Sequence, residues 1–404
     1  MIILLSAPFL TMMSSETRLQ KHGERLAIIH DFLIQMGGAE KVVEVMAEAY
    51  PDAPIYTSAT RGNNLPAPFA SERVVNSWMQ SIPGLEKWHK KLFFLYPFAF
   101  RSLKISSETD LLWISSSGFS KWIPRPENAN VVCYCHTPPR FFWNPDDYLK
   151  NEVANPVLRQ LVKKVMPLFR DSDRRQSAKV DLFVANSGFI KKRIKACYDR
   201  DSVVIYPPVD VERFQVSERS EDYHLIVSRL VSYKRIDLAV EAFTKEGRNL
   251  VVIGDGPDRD RLESMAGSCV TFLGRAPDEV VEEKMAGCRG FVFPGLEDFG
   301  ITPVEAQACG KPVIAFRGGG ALETVVEGRT GVFFDGFDSR LVIDALRQFD
   351  QIDWQTSVIR RNAERFSEER FLAETKRLFD LVIEMEGDEA AILQAFNKRA
   401  TKAA

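Results

Sequence analysis

Two stretches in the second half of this 404-residue chain set charges and glycines at spacings suited to a charged ligand. In Val227-Ser228-Arg229-Leu230-Val231-Ser232-Tyr233-Lys234-Arg235, Arg229 stands just past an apolar run and Lys234 at the entry to a helical pattern. In an open α/β sheet, ligands gather outside the carboxyl ends of the strands, and two cations beside a helix N-terminus there suit a diphosphate. By spacing alone the pair serves equally well as two solvated cations flanking a helix start. The second stretch is Pro294-Gly295-Leu296-Glu297-Asp298-Phe299-Gly300-Ile301-Thr302-Pro303-Val304-Glu305. It reads as a strand end, a glycine loop and a helix starting near Pro303, where proline fits the first turn. Glu297 and Glu305 bracket that helix start. Backbone N–H groups over Phe299–Thr302 suit an anion, and the carboxylates suit sugar hydroxyls. Taken alone, Glu305 is equally a helix-dipole carboxylate, favourable by ~0.3–1 kcal/mol.

A third candidate is His136, within Cys133-Tyr134-Cys135-His136-Thr137-Pro138-Pro139; by itself it reads as a satisfied strand-end histidine. Three Asp-x-Asp pairs, Asp171/Asp173, Asp199/Asp201 and Asp258/Asp260, lie in polar helical or loop stretches and read as surface pairs. No His/Cys cluster has metal-ligand spacing, so no metal is expected. Gly254-Asp255-Gly256 has no third glycine in step, which weakens a dinucleotide-binding reading. The six cysteines form no Cys-x-x-Cys pair and read as reduced thiols of a cytosolic protein.

The elements that must position these residues are legible as short apolar runs followed by helical spacing. Leu26–Phe32, Gly37-Gly38 and Ala39–Tyr50 read as strand, glycine loop and helix. Further strands are expected at Leu111–Ser115, Val131–Cys135 and Leu182–Ala185, as in a parallel sheet with crossovers. The pattern breaks near Tyr206-Pro207-Pro208, which marks a domain boundary. Beyond it, strands are expected at His224–Ser228, Leu250–Ile253, Val270–Leu273, Gly290–Pro294 and Pro312–Ala315. Helices are expected at Ile236–Thr244, Asp258–Ala266, Asp278–Ala286, Pro303–Ala308 and Leu341–Gln348. The fold class is α/β, with two Rossmann-like domains facing across a cleft that holds a nucleotide-type ligand.

At 45% apolar and 27% charged residues, the chain is neither disordered nor fibrous nor a multi-span membrane protein. Its net charge of -2 hides an asymmetry: residues 1–206 hold 27 basic and 20 acidic side chains, and the remainder 26 and 35. A basic half suits phosphates, an anionic membrane or nucleic acid. Met1–Met13 is apolar but lacks a basic flank and a good cleavage pattern, and reads as a loose leader or an early start codon rather than an export signal.

Together the segments resemble the retaining nucleotide-sugar glycosyltransferases of the two-domain GT-B fold, family four. The resemblance covers nearly the whole chain and rests on Gly37-Gly38-Ala39-Glu40, Ala185-Asn186-Ser187, Ser228-Arg229-Leu230 with Lys234, Gly254-Asp255-Gly256-Pro257, and Glu297 to Glu305. The Cys133–Pro139 stretch resembles a bacterial subgroup rich in mannosyltransferases of surface polysaccharide and lipid-linked oligosaccharide. What the resemblance implies is an N-terminal acceptor-side domain over 1–206, a nucleotide-sugar-binding domain over 207–384, and a final helix near 385–404 packing back on the first. It makes Gly37 and Gly38 the loop approaching the donor diphosphate and acceptor, and Arg229 and Lys234 the pair neutralising the leaving group. Glu297 holds donor-sugar hydroxyls, backbone of Phe299, Gly300 and Ile301 forms the phosphate- and sugar-binding turn, and Glu305 binds the ribose. His136 faces the donor sugar. Arg275, in Gly274-Arg275-Ala276-Pro277, sits by the nucleobase, and Ser187 belongs to the donor-side motif. The implied reaction retains anomeric configuration, with the donor phosphate taking the acceptor proton on one face and fixed charges replacing a metal. No cofactor is expected.

Leu85–Lys104, LEKWHKKLFFLYPFAFRSLK, carries five cations, one acid and six aromatics. It suits a membrane interface, with rings at headgroup level and lysines on anionic lipid, and equally a core helix pair with a basic edge, interrupted at Pro97. The basic runs Lys163-Lys164, Arg174-Arg175 and Lys191–Lys195 share that half. Nucleic acid is not expected, since no binding motif accompanies the charge. The expected protein is a cytoplasmic enzyme, peripheral on the inner membrane face. It moves a hexose, mannose from GDP-mannose, to a glycan or polyprenol-diphosphate-linked acceptor. A UDP-sugar donor, a sugar-nucleotide epimerase and a non-catalytic nucleotide-sugar-binding protein are the alternatives.

Overall fold

A computed structural model describes residues 25–61, 65–69, 71–89, 91–145, 156–217 and 220–400. Met1–Met13 lies outside the described residues. Two parallel sheets form the scaffold. The first has seven strands in the order β3-β2-β1-β4-β5-β6-β7: β1 Leu26–His30, β2 Ile55–Thr57, β3 Val74–Asn76, β4 Leu111–Ser116, β5 Asn130–Cys135, β6 Leu182–Ala185 and β7 Ser202–Val204. The second has six, ordered β10-β9-β8-β11-β12-β13: β8 His224–Val227, β9 Leu250–Ile253, β10 Val270–Gly274, β11 Gly290–Phe293, β12 Val313–Phe316 and β13 Gly331–Phe334. Registers such as Ile28↔Ile55 and Ile28↔Trp113 in the first, or Leu225↔Val251 and Phe291↔Val313 in the second, are parallel.

Strand order reverses beside β1/β4 and again beside β8/β11, giving each sheet a topological switch point where loops diverge and leave a crevice. The central strands are apolar on both faces, as helices on both sides require; β1, β4 and β11 are buried throughout.

Helices follow from spacing and caps. In α1, Gly38–Ala49, Val42, Val45 and Met46 share the buried face. Next come α2, Tyr96–Ser102, α3, Pro156–Ser177, and α4, Gly188–Tyr198. The second sheet carries α5 Ile236–Glu246, α6 Arg259–Met265, α7 Asp278–Gly287 and α8 Ile301–Ala308. In α9, Ser339–Asp350, Val342, Ala345, Leu346 and Phe349 recur at i, i+3, i+4 and i+7, and the Asp338 carboxylate caps the start by accepting from Arg340 N–H at 2.9 Å. The chain ends in α10 Thr356–Glu364, α11 Glu368–Glu384 and α12 Glu389–Ala400.

The described residues divide into two compact units. One takes the chain up to Tyr134, Pro139–Phe183 and everything from Ala373 onward; the other takes Cys135–Pro138 and Val184–Leu372. In the first, Phe379 of α11 meets Tyr50 with ring centroids 6.0 Å apart.

Two expectations need correction. Pro97 does not interrupt a helix: it is the second residue of α2, where a missing N–H costs nothing. Asp173 is not a surface residue. Its side chain is fully buried in α3, 3.2 Å from the equally buried ammonium of Lys121, and it accepts from Trp143 Nε1 at 3.0 Å. A buried carboxylate needs such partners, which is why α3 carries charge inward at that turn.

Candidate active site

At the switch point of the second sheet the loops after β8 and β11 meet. Gly295 makes this contact possible: a Cβ there would stand 2.8 Å from the carbonyl oxygen of Lys234 and 2.9 Å from its Cα. Lys234 closes a short 3-10 turn, Ser232–Lys234, ahead of α5. Its ammonium donates to Glu297 Oε1 at 2.5 Å, and both side chains are about one-fifth exposed. A small cavity lined by Val227, Ser228, Lys234, Phe293, Gly295 and Glu297 opens at this pair. Arg229 is exposed, and among the described residues no carboxylate pairs with it. One cation is thus neutralised by the site and one faces solvent.

The turn beyond Glu297 is built by its side chains pointing away. The ring of Phe299 is buried against Tyr206 and Phe366, at centroid distances of 5.8 and 5.5 Å, so only backbone remains for a ligand. Gly300 takes φ +89°, a left-handed conformation that few side chains tolerate, and leads into α8. The helix begins at Ile301, slightly earlier than the expected start near Pro303, and Pro303 occupies the first turn. Glu305 lies half-buried one turn further along α8. Arg275 follows β10, two strands from the switch point, with its side chain 84% exposed and Nε 3.9 Å from Asp255 Oδ2.

In the same unit, His136 lies just past β5 and is buried, and its carbonyl accepts from Asn186 Nδ2 at 3.1 Å. Ser187 is fully buried at the N-cap of α4. Its Oγ accepts from Ile190 N–H at 3.1 Å and donates to the Asp298 carbonyl at 2.6 Å. Its polar atom is thereby committed to protein.

In the other unit, Gly37 caps α1, and its N–H donates to Glu40 Oε2 at 2.9 Å, with Gly38 exposed beside it. Beneath them, His30 Nδ1 is 2.9 Å from Ser115 Oγ, and its Nε2 is 3.7 Å from Glu40 Oε1. The Asp31 carboxylate accepts from the N–H groups of Ser117, Phe119 and Ser120 at 2.6–2.7 Å. Sequence reasoning missed this cluster, and it missed Glu323, which accepts from Gly188 N–H at 2.8 Å, Phe189 N–H at 3.2 Å and Tyr206 OH at 3.1 Å. The triple glycine 318–320 ahead of Glu323, beside the expected strand Pro312–Ala315, was the available signal. Among the described residues no cluster of His, Cys, Asp and Glu is arranged to hold a metal ion.

The fold is that of the GT-B glycosyltransferases, and comparisons with known proteins give the family. Residues 36–213 match the model of Glycosyltransferase Family 4, and residues 209–366 match that of Glycosyl transferases group 1. The chain belongs to the glycosyltransferases assembled from these two domains. Among its relatives is a GDP-mannose-dependent alpha-(1-6)-phosphatidylinositol monomannoside mannosyltransferase of Mycolicibacterium smegmatis, 29% identical over 45% of this chain and 56% of the relative. Another is an alpha-1,3/1,6-mannosyltransferase of Dictyostelium discoideum, 24% identical over 50% of this chain and 58% of the relative. The chain thus spans about half the length of the curated relatives it matches. Among solved structures, Anabaena HepE in complex with UDP superposes with a TM-score of 0.64 at 18% identity, over 88% of this chain and 99% of that one. A sucrose-phosphate synthase of Thermosynechococcus elongatus gives 0.61 at 18%, over 94% and 100%.

Proposed function

We propose that the protein transfers a hexose, with retention and without a metal, from a nucleotide-diphosphate sugar to a glycan or lipid-linked acceptor. The observation that carries this reading is the Lys234–Glu297 pair at the β8/β11 switch point, with exposed Arg229 following the cavity-lining Ser228 in the same loop. In the reaction, the bond from the anomeric carbon to the donor diphosphate breaks while the acceptor oxygen bonds that carbon on the same face. The acceptor proton passes to the departing phosphate oxygen. Arg229, Lys234 and the N–H groups opening α8 lower the barrier by stabilising the charge that develops on the leaving group. Glu297 takes donor hydroxyls, and its carboxylate loses part of its hold on Lys234 as the diphosphate arrives. Glu305 binds the ribose, and Arg275 borders the base. Neither carboxylate acts as a nucleophile.

The donor is GDP-mannose, a reading supported by the GDP-mannose dependence of the Mycolicibacterium relative. The likeness to UDP-bound HepE, at 18% identity, speaks to fold and not to the base. The test is transfer of labelled sugar from GDP-mannose, UDP-glucose and ADP-glucose in excess chelator. Turnover from GDP-mannose in chelator is the expected result. Turnover restored only by a divalent ion overturns the metal-independent reading, and preference for another donor overturns mannose.

The enzyme works at an anionic membrane. Trp88, Phe94, Phe98 and Leu168 are 50%, 47%, 60% and 69% exposed, among exposed Lys87, Lys91, Arg101 and Lys104. Lys91 stands over the Trp88 ring at 4.6 Å, and Phe93 meets Phe169 at 5.6 Å, which brings the Leu168 turn of α3 to the same patch. Such rings and cations match a headgroup layer. Co-sedimentation with vesicles containing phosphatidylglycerol, absent with phosphatidylcholine alone and reduced in Phe98→Ser, is expected. Equal partitioning in both overturns it. Among the described residues no helix is long and apolar enough to cross a membrane.

A further inference from the structure

We infer that Asn186, Ser187 and Glu323 are positioning residues, a brace that sets the spacing between His136 and the Glu297 turn. The inference rests on the transferase reading above and deepens it. Asn186 and Ser187 are adjacent and buried, and each grips a different chemistry-bearing segment. Asn186 Nδ2 holds the carbonyl of His136 at 3.1 Å, and Ser187 Oγ holds the carbonyl of Asp298, next to Glu297, at 2.6 Å. Arg193, one turn into α4, adds Nη1 at 3.4 Å from Asp298 Oδ1.

The opposite side of the turn is held as tightly. Gly320 N–H donates to the Glu297 carbonyl at 2.9 Å, and a Cβ on Gly320 would stand 2.2 Å from Phe299 Cα, so backbone lies directly on backbone. Gly320 starts the single-turn helix Ala321–Thr324. Glu323 of that turn fills the N-terminus of α4 by accepting from the N–H groups of Gly188 and Phe189, and it takes the Tyr206 hydroxyl as well. A carboxylate suits that position, since the first N–H groups of a helix lack partners within it and carry partial positive charge. The contacts close into a ring: α4 to Glu323, to Gly320, to the Glu297–Phe299 turn, and through Asp298 back to Ser187 and Arg193 on α4. The start of α4 is therefore occupied by protein and is not a ligand site.

A side chain placed for reaction tolerates little displacement, and about 1 Å of misplacement costs about 100-fold. Releasing the Asp298 carbonyl frees one side of the turn that carries Glu297 while Arg229 and Lys234 keep their own loop. Removal of the brace therefore acts on turnover and spares nucleotide affinity.

The test uses the full chain with Ser187→Ala, Ser187→Thr and Glu323→Gln. Three quantities are measured: kcat and KM for donor, GDP affinity by calorimetry, and amide hydrogen exchange across 297–301. In Ser187→Ala we expect kcat to fall about 10- to 100-fold with GDP affinity retained. Exchange across 297–301 should rise about 10-fold while β8 and β9 stay protected. Ser187→Thr, which keeps the hydroxyl, restores most of kcat. Should Ser187→Ala fail to fold, Glu323→Gln, which keeps the volume and loses one acceptor, shows the same split more weakly. The inference is overturned by wild-type kcat and exchange in both variants, or by kcat, GDP affinity and thermal stability falling together. If the native chain transfers no sugar from any donor, the transferase reading fails by itself; exchange in Ser187→Ala still reports whether the brace holds the turn.

Discussion

The two sheets offer the same crevice twice, and the chain fills the two in opposite ways. At the β1/β4 switch point, three backbone N–H groups converge on the buried carboxylate of Asp31, and the Gly37 amide is taken by Glu40. Donors that topology aims at a ligand are satisfied there by the protein's own anions. At the β8/β11 switch point, a lysine and a glutamate share one contact at the lip of a cavity, and an arginine of the same β8 loop is exposed. Equal topology yields a self-neutralised anchor in one place and a surplus of positive charge open to a phosphate in the other. The switch-point rule locates a crevice; the charge left unpaired in it decides whether the crevice binds.

The largest effects should separate the anchor from the site. Asp31→Ala strands the buried N–H groups of Phe119 and Ser120 and the half-buried one of Ser117; at roughly 1–3 kcal/mol for each buried group left unpaired, about 2 kcal/mol or more of folding stability is lost. A denaturant midpoint shifted far below the native one checks this, and an unchanged midpoint breaks the comparison. Lys234→Ala should do the reverse. Transfer falls about 100- to 1000-fold, the cost of removing one preorganised charge from a transition state, while the unfolding midpoint barely moves. Parallel loss of stability and turnover would make Lys234 a structural residue like Asp31.

Arg229→Gln sharpens the contrast further. An exposed side chain with no carboxylate partner contributes little to folding, so thermal stability is unchanged. Affinity for GDP falls about 10-fold, or ~1.4 kcal/mol, and the deficit shrinks as salt screens the interaction. Calorimetry at two ionic strengths reads both, and full retention of affinity removes Arg229 from the diphosphate site.

Much of this was legible because buried parallel strands write themselves as apolar runs. His224–Ser228 and Gly290–Pro294 came out within one residue of β8 and β11, and those two strands place Arg229, Lys234 and Glu297. Strands β2, β3 and β7 escaped because three residues carry no period. Helix α3 escaped because it is rich in charge and contains Pro167, which reads as a breaker. The brace was hidden for another reason. Asn186 and Ser187 looked like part of a donor motif, and only folding shows Ser187 Oγ turned to Asp298, 111 positions away, and Glu323 reaching Gly188 over 135. Long-range hydrogen bonds leave no spacing in a sequence.

The smallest effect concerns a third polar group, held where neither an anchor nor a site is needed. His224 opens β8, buried edge-on against Phe243 and Phe349 at 5.1 and 5.4 Å. Burial, with Arg289 and Arg248 nearby and Asp350 only partly offsetting them, pushes its pKa down to about 3. The unfolded chain, with an ordinary imidazole near ~6.5, binds that proton first as pH falls. The contribution is therefore intact above pH ~6.5 and erodes below it by up to about 1.4 kcal/mol per unit until pH approaches the folded value. Burial works to raise the pKa of Asp350, but its hydrogen bond to Arg248 and the charges of Arg248 and Arg289 outweigh that and hold it low, so its protonation adds a further loss at acid pH. His224→Phe keeps the ring packing and removes the proton acceptor. Its unfolding midpoint between pH 6.5 and 4.5 should decline less steeply than the native one, and identical slopes would assign acid lability to carboxylates alone. Turnover at pH 7.5 should match the native enzyme, because His224 stands at the opposite end of β8 from Arg229: a strand can be strained at its entry without disturbing the charges at its exit.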